Sequence, residues 1–131
     1  SIDEASDTSG RPLLKSLWAA GIDTVGGNIL ATTIKSTNYG ATVTCCGNVA
    51  SPDLPLNVFP FILRGVKLIG IDSQNCPMPL RKKIWQKIAS AWKIDWLNAL
   101  TTEAPFDEIE NKIELMLQGK HIGRTIIKMA D

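Results

Sequence analysis

The 131-residue chain has a single histidine, His121, and three cysteines, of which Cys45 and Cys46 are adjacent. Such scarcity leaves neither a disulfide framework nor a zinc-ligand set, since both need cysteines or histidines at paired spacings. Charge of one sign is lacking too. Fourteen basic residues against thirteen acidic leave a formal net charge of +1, so no global field draws the chain to nucleic acid or to a membrane surface. Apolar runs such as Val58 to Leu63 fall far short of the ~20 residues that cross a bilayer. The opening Ile2-Asp3-Glu4 has no basic stretch of the kind that begins a secretory signal, and the cytoplasm is the expected compartment. Nothing before Asp23 supplies a G-x-G-x-x-G turn or a charged ribose reader, the two features that open a dinucleotide-binding sheet.

What is present is apolar material for one globular core, at 44% hydrophobic and 21% charged residues. Ser1 to Gly10 is polar and aperiodic and reads as a flexible leader. Leu13, Leu14, Leu17 and Trp18 recur at helical spacing between Pro12 and Gly21, which predicts a short helix. Gly21 to Val25 is a strand candidate that leaves through Gly26-Gly27, where a strand-to-helix turn needs conformational freedom. Asn28 is the expected N-cap of a helix from Ile29 to about Thr37, stopped by Asn38-Tyr39-Gly40. Ala41 to Cys46, compact and β-branched, reads as a buried strand, and the strand–helix–strand order makes a βαβ unit.

Gly47 to Asn57, with two prolines, is irregular. Phe59 to Leu63 is expected to form one helical turn closed by Gly65. Val66 to Ile71 is a third strand, placed at a sheet edge by Lys67 and Gly70. A helix from about Leu80 to Trp92 lines up Ile84, Trp85, Ile88, Ala89 and Trp92 in one stripe expected to be buried. A last helix, Phe106 to Gln118, carries Asp107, Glu108 and Glu110 in its first turn and ends at Gly119. Gly123 to Met129 reads as a closing strand. Each of the first three strands ends in small or polar residues, and in an open parallel sheet the ligand crevice lies at those carboxyl ends.

Asp23-Thr24-Val25-Gly26-Gly27, Asn38-Tyr39-Gly40, Cys46-Gly47, Leu54-Pro55, Pro60 to Val66, Gly70-Ile71-Asp72-Ser73 and Gly123-Arg124-Thr125 follow one another in a familiar order. In these motifs the chain resembles the carboxyl-terminal part of the quinone-oxidoreductase-like branch of the medium-chain dehydrogenase/reductase superfamily, and within it the acryloyl-CoA reductases. The resemblance runs from about Pro12 to Met129. It implies an α/β fold: the distal half of a Rossmann-like parallel sheet flanked by helices, without the amino-terminal catalytic domain or the first βαβ unit. Residues 1–10 would then be a leader, 11–118 the second half of the NADP-binding domain, and 119–131 a closing segment that returns to the catalytic domain in full-length members.

The same resemblance implies an NADP(H)-dependent oxidoreductase that reduces the C=C bond of an α,β-unsaturated carbonyl, a quinone or an acyl-CoA, without zinc. It places Gly26 and Gly27 under the dinucleotide and Cys46, Gly47 and Asn48 beside the nicotinamide ribose. Phe61, Ile62 and Leu63 fall at the nicotinamide carboxamide, with Ser73 and, more loosely, Gly119 near the same pocket. No residue of the chain emerges as a catalytic proton donor. A homodimer through the 66–71 edge strand is also implied.

Simpler readings stand beside these. A Gly-Gly pair is a turn in most proteins. Cys45 reads as a small core residue and Cys46 as partly accessible, with no base to activate it. His121 reads as solvated, the tryptophans at 18, 85, 92 and 96 as packing residues, and Arg81, Lys82, Lys83 and Lys87 as a solvated basic face, with a contact to an anionic CoA as the sharper alternative. A non-catalytic α/β module serving self-association is the alternative function.

Overall fold

The computed structural model describes residues 5–129, and the contacts divide the chain into two compact units, Ser1–Cys76 and Pro77–Asp131. The boundary between the units falls inside the 11–118 span, after Cys76. Each unit is built on its own parallel strand pairing.

In the first unit, β1 (Gly21–Asp23), β2 (Thr42–Cys45) and β3 (Lys67–Gly70) form a three-stranded sheet in the order β1-β2-β3. All pairings are parallel, with Ile22 opposite Thr44 and Val43 opposite Leu68. Helix α1 (Gly27–Lys35) connects β1 to β2, and the short helix α2 (Phe59–Arg64) precedes β3. The core lies between α1 and the sheet: Leu30, Ile34, Val43 and Val66 are buried, with Cys45, Leu56, Phe61 and Leu68 packed against them. Gly65, in the left-handed conformation at φ 58°, closes α2 as expected.

The helix expected at Leu13–Trp18 is absent, for a reason visible in the backbone. Helix α1 ends at Lys35, and its last carbonyls need donors. They receive them from this segment: Leu14 N bonds Lys35 O at 3.1 Å, while Leu17 N and Trp18 N bond Ser36 O at 2.8 and 3.2 Å. An amide engaged across the chain cannot close a local helical turn. Arg64 completes the arrangement, its guanidinium donating to the carbonyls of Lys35, Thr37 and Leu14.

The leader differs from expectation as well. Ser1–Glu4 lie outside the described residues, but Asp7 is tied down by its amide to Thr32 Oγ1 at 2.8 Å and by its carboxylate to Lys35 Nζ at 3.0 Å. Asn28 is not the N-cap of α1. Gly26 occupies that position, and the Asn28 side chain instead donates to the Asp7 carbonyl at 3.0 Å.

The second unit contains α3 (Met78–Ile88), β4 (Thr101–Pro105), α4 (Ile109–Leu117) and β5 (Arg124–Lys128), with 3₁₀ turns at Leu97–Leu100 and Phe106–Glu108. Strand β4 pairs parallel with β5. Thr-Thr-Glu-Ala-Pro has neither alternation nor an apolar run, so its sequence does not mark it as a strand. Helix α4 ends in a Schellman motif, Gly119 N bonding Met116 O and Lys120 N bonding Leu115 O.

No residue of α3 is buried. Trp85, Trp92 and Trp96 are 64%, 56% and 60% exposed, and Trp18 of the first unit is 42% exposed, so the α3 stripe expected to be buried is not, and of the core and interface packing expected of the tryptophans the core part is not met. Trp92 is instead capped by Lys87, whose Nζ stands 4.8 Å from the ring centroid. Among the described residues, no helix is long and apolar enough to cross a membrane.

Candidate functional site

The site begins at the exit of β1. The Asp23 carboxylate, almost fully buried, accepts a hydrogen bond from the Gly26 amide at 3.0 Å. This bond folds the chain back on itself so that α1 starts one residue later. Gly26 has φ 73°, and a β-carbon there would collide with the Ser51 carbonyl oxygen. Only glycine permits this turn with the Ser51 loop lying across it.

The exit of β2 is held to that of β1. Cys46 N bonds the Asp23 carbonyl at 2.9 Å, and a β-carbon on Gly47 would strike the Thr24 carbonyl oxygen. Ile71 N in turn bonds the Cys45 carbonyl at 2.9 Å, carrying the pairing past the end of β3. Parallel register thus brings the ends of β2 and β3 side by side. Between them opens a groove of about 510 Å³ lined by Cys45, Cys46, Gly47, Asn48, Gly70, Ile71 and Asp72.

Asp72 is organised within this groove. Asn75 donates to it twice, from its amide at 3.0 Å and from Nδ2 at 2.6 Å. These two donors hold the Asp72 carboxyl below the ordinary carboxylate range, so it is ionised at neutral pH.

Three of the ten residues expected at a cofactor site, Cys46, Gly47 and Asn48, line the groove. Gly26 and Gly27 are buried beneath the loop at Ala50 and Ser51. Phe61 is partly buried against the core, whereas Ile62 and Leu63 are exposed on α2. Ser73 follows the groove-lining Asp72 and is exposed. Gly119 belongs to the second unit, where its φ of 67° serves the end of α4.

Asp72, Gly70 and Ile71 line the groove without having been singled out as ligand residues, although Asp72 marks a strand tip in the sequence. His121, expected to be solvated, is partly buried and pairs through Nε2 with Thr125 Oγ1 at 2.8 Å. All three cysteines are free thiols, with Cys46 exposed as expected. Among the described residues, no group of three or more His, Cys, Asp or Glu side chains could hold a metal ion.

No family model matches the chain. Over 128 residues, 97% of the chain, it is 35% identical to the Bacillus subtilis protein YhfP, which bears the name of a quinone oxidoreductase, and covers 39% of it. Over 125 residues, 95% of the chain, it is 37% identical to the acrylyl-CoA reductase AcuI of Ruegeria pomeroyi, covering 38% of that protein. The crystal structure of YhfP with NAD bound superposes with a TM-score of 0.84 over 97% of this chain. Over nearly all of its length the chain is similar to part of these quinone-oxidoreductase and acrylyl-CoA reductase proteins, with solved neighbours in the medium-chain dehydrogenase/reductase family.

Escherichia coli K-12 YhdH, solved with NADPH bound, agrees: its TM-score is also 0.84, at 35% identity, over 98% of this chain and 39% of that one. The chain therefore spans about 39% of the length of the reductases it matches. The fold is the α/β arrangement expected of the distal half of their Rossmann-like sheet.

Proposed function

We propose that this chain forms the nicotinamide-facing part of the NADP(H) site of a reductase acting on the C=C bond of an α,β-unsaturated carbonyl. The observation that carries the reading is the groove at the carboxyl ends of β2 and β3, lined by Cys46, Gly47 and Asn48, in a chain whose relatives include structures solved with NAD and NADPH. It lies where parallel sheets bind ligands. The residues fit the group: Gly47 keeps the β2 exit free of side chain, and Asn48 brings an amide able to donate and accept at a ribose.

On this reading, Cys46, Gly47 and Asn48 hold the nicotinamide ribose, and Gly26 and Gly27 shape the floor beneath it. The α2 residues Phe61, Ile62 and Leu63, together with Ser73, complete the pocket. When bound, the cofactor supplies hydride to the β-carbon of a quinone or acyl-CoA thioester, and the α-carbon gains a proton. The chain by itself is expected to be inactive and to bind NADPH weakly, because its sequence carries no G-x-G-x-x-G turn of the kind that cradles the pyrophosphate. Isothermal titration is expected to show no micromolar binding of NADPH to the 131-residue chain.

The direct test is a chimera in which this chain replaces the aligned 128 residues of YhfP. Oxidation of NADPH with a quinone or acryloyl-CoA is expected, and a folded chimera that turns over neither refutes the proposal. A second reading, self-association, is favoured by the open backbone edge of β3, which pairs with β2 on one side only. Sedimentation that shows only monomer at high concentration counts against it.

A further inference from the structure

We infer that Asp72 biases the groove toward the oxidised form of the nicotinamide, so that the site favours hydride release. The inference rests on the proposed cofactor site and concerns a residue not among those expected to bind there.

Asp72 lines the same groove as Cys46, Gly47 and Asn48. Among the described residues lining it, Asp72 alone bears a formal charge, and no lysine, arginine or histidine stands with it. Its carboxylate is fixed in place, with Oδ1 receiving the Asn75 amide and Oδ2 the Asn75 side chain. The same two donors favour the charged form.

The chemistry follows from the ring. An oxidised nicotinamide is a pyridinium carrying one positive charge, whereas the reduced dihydropyridine is neutral. Loss of hydride, two electrons and a proton together, turns the neutral ring into the cation. A carboxylate beside the ring attracts the cation and leaves the neutral form nearly indifferent. Phosphate charges are the same in both forms and cancel from the comparison. Because Asp72 is solvent-exposed, water and salt weaken the effect, and a preference of about threefold to tenfold is the expected range.

Nicotinamide mononucleotide is the probe, since it carries the ring and ribose but not the adenosine half whose phosphates the chain does not cradle. Its oxidised and reduced forms are titrated separately into the ¹⁵N-labelled 131-residue chain and into Asp72→Asn, following the Cys46, Gly47 and Asn48 amides. Wild type is expected to bind the oxidised form at least about threefold more tightly than the reduced, and Asp72→Asn to lose that ratio while keeping its affinity for the reduced form.

The wild-type ratio is also expected to fall toward one in molar salt, which gives a second reading that needs no variant. Equal ratios in the two proteins, or a ratio insensitive to salt, overturn the role of Asp72 and leave the cofactor site standing. Failure of both forms to shift those amides in wild type overturns the site and this inference with it.

Discussion

At the residue scale, the glycines at the strand exits show how a close approach selects one amino acid. Gly26 combines a positive φ with the Ser51 backbone against its Cα, and Gly47 lies against the Thr24 carbonyl. Gly26→Ala is expected to destabilise the first unit by about 2 kcal/mol or more, as strain and overlap add; urea denaturation measures it.

Asp7 supports a different prediction. Hydrogen bonds from Ser9, then the Lys35 ammonium, lower its carboxyl from the ordinary 3.8 to about 2. Its contribution to stability is therefore complete above about pH 4 and is lost as the pH falls from there toward 2. Denaturation curves at pH 5 and pH 2.5 should differ more for wild type than for Asp7→Asn, and equal pH dependence would remove Asp7 from the account. In the sequence, Asp7 was indistinguishable from a solvated polar leader. Its role depends on Lys35, which is 28 positions away and has no periodic relation to it.

At the scale of elements, the sequence revealed β1, α1, β2, α2 and β3, because each carries its own propensity and stop: the apolar β-branched run at Thr42–Cys45, or the left-handed Gly65 after α2. What escaped was decided between elements. Leu13 to Trp18 has helical apolar spacing, yet its amides satisfy the end of α1. Strand β4 exists through its pairing with β5.

Two substitutions weigh these terms. Ile34→Ala empties a fully buried position between α1 and the sheet and is expected to cost about 2–5 kcal/mol in chemical denaturation. Arg64→Met keeps the stem and removes the donors to Lys35, Thr37 and Leu14, with an expected loss of about 2 kcal/mol. A variant as stable as wild type would show that water serves those carbonyls equally well.

At the scale of the whole molecule, the site was legible where strand order decides it and hidden where side-chain direction does. Three parallel strands in the order β1-β2-β3 bring the tips at Cys46, Gly47, Asn48 and Asp72 together, as the strand endings implied. The positions of Ile62 and Leu63 on the exposed side of α2 are set by which face of a six-residue helix meets the core, and six residues are too few to show a period.

Large apolar side chains lie uncovered in both units, among them Ile22 at 85% and Leu117 at 83% exposure. Surfaces of this kind attract apolar dyes and other chains. The 131-residue chain is expected to enhance the fluorescence of such a dye in its folded state, and a signal no greater than that of a compact globular control would contradict the exposure.

The clasp of Asp7 on Lys35 also sets the handling of the amino end. Lysine is where trypsin cuts, and this one is withdrawn from solvent with its ammonium engaged. Digestion near neutral pH should spare the bond after Lys35 while attacking Lys82 and Lys83, and an affinity tag joined ahead of Ser6 must be long enough not to pull the carboxylate away.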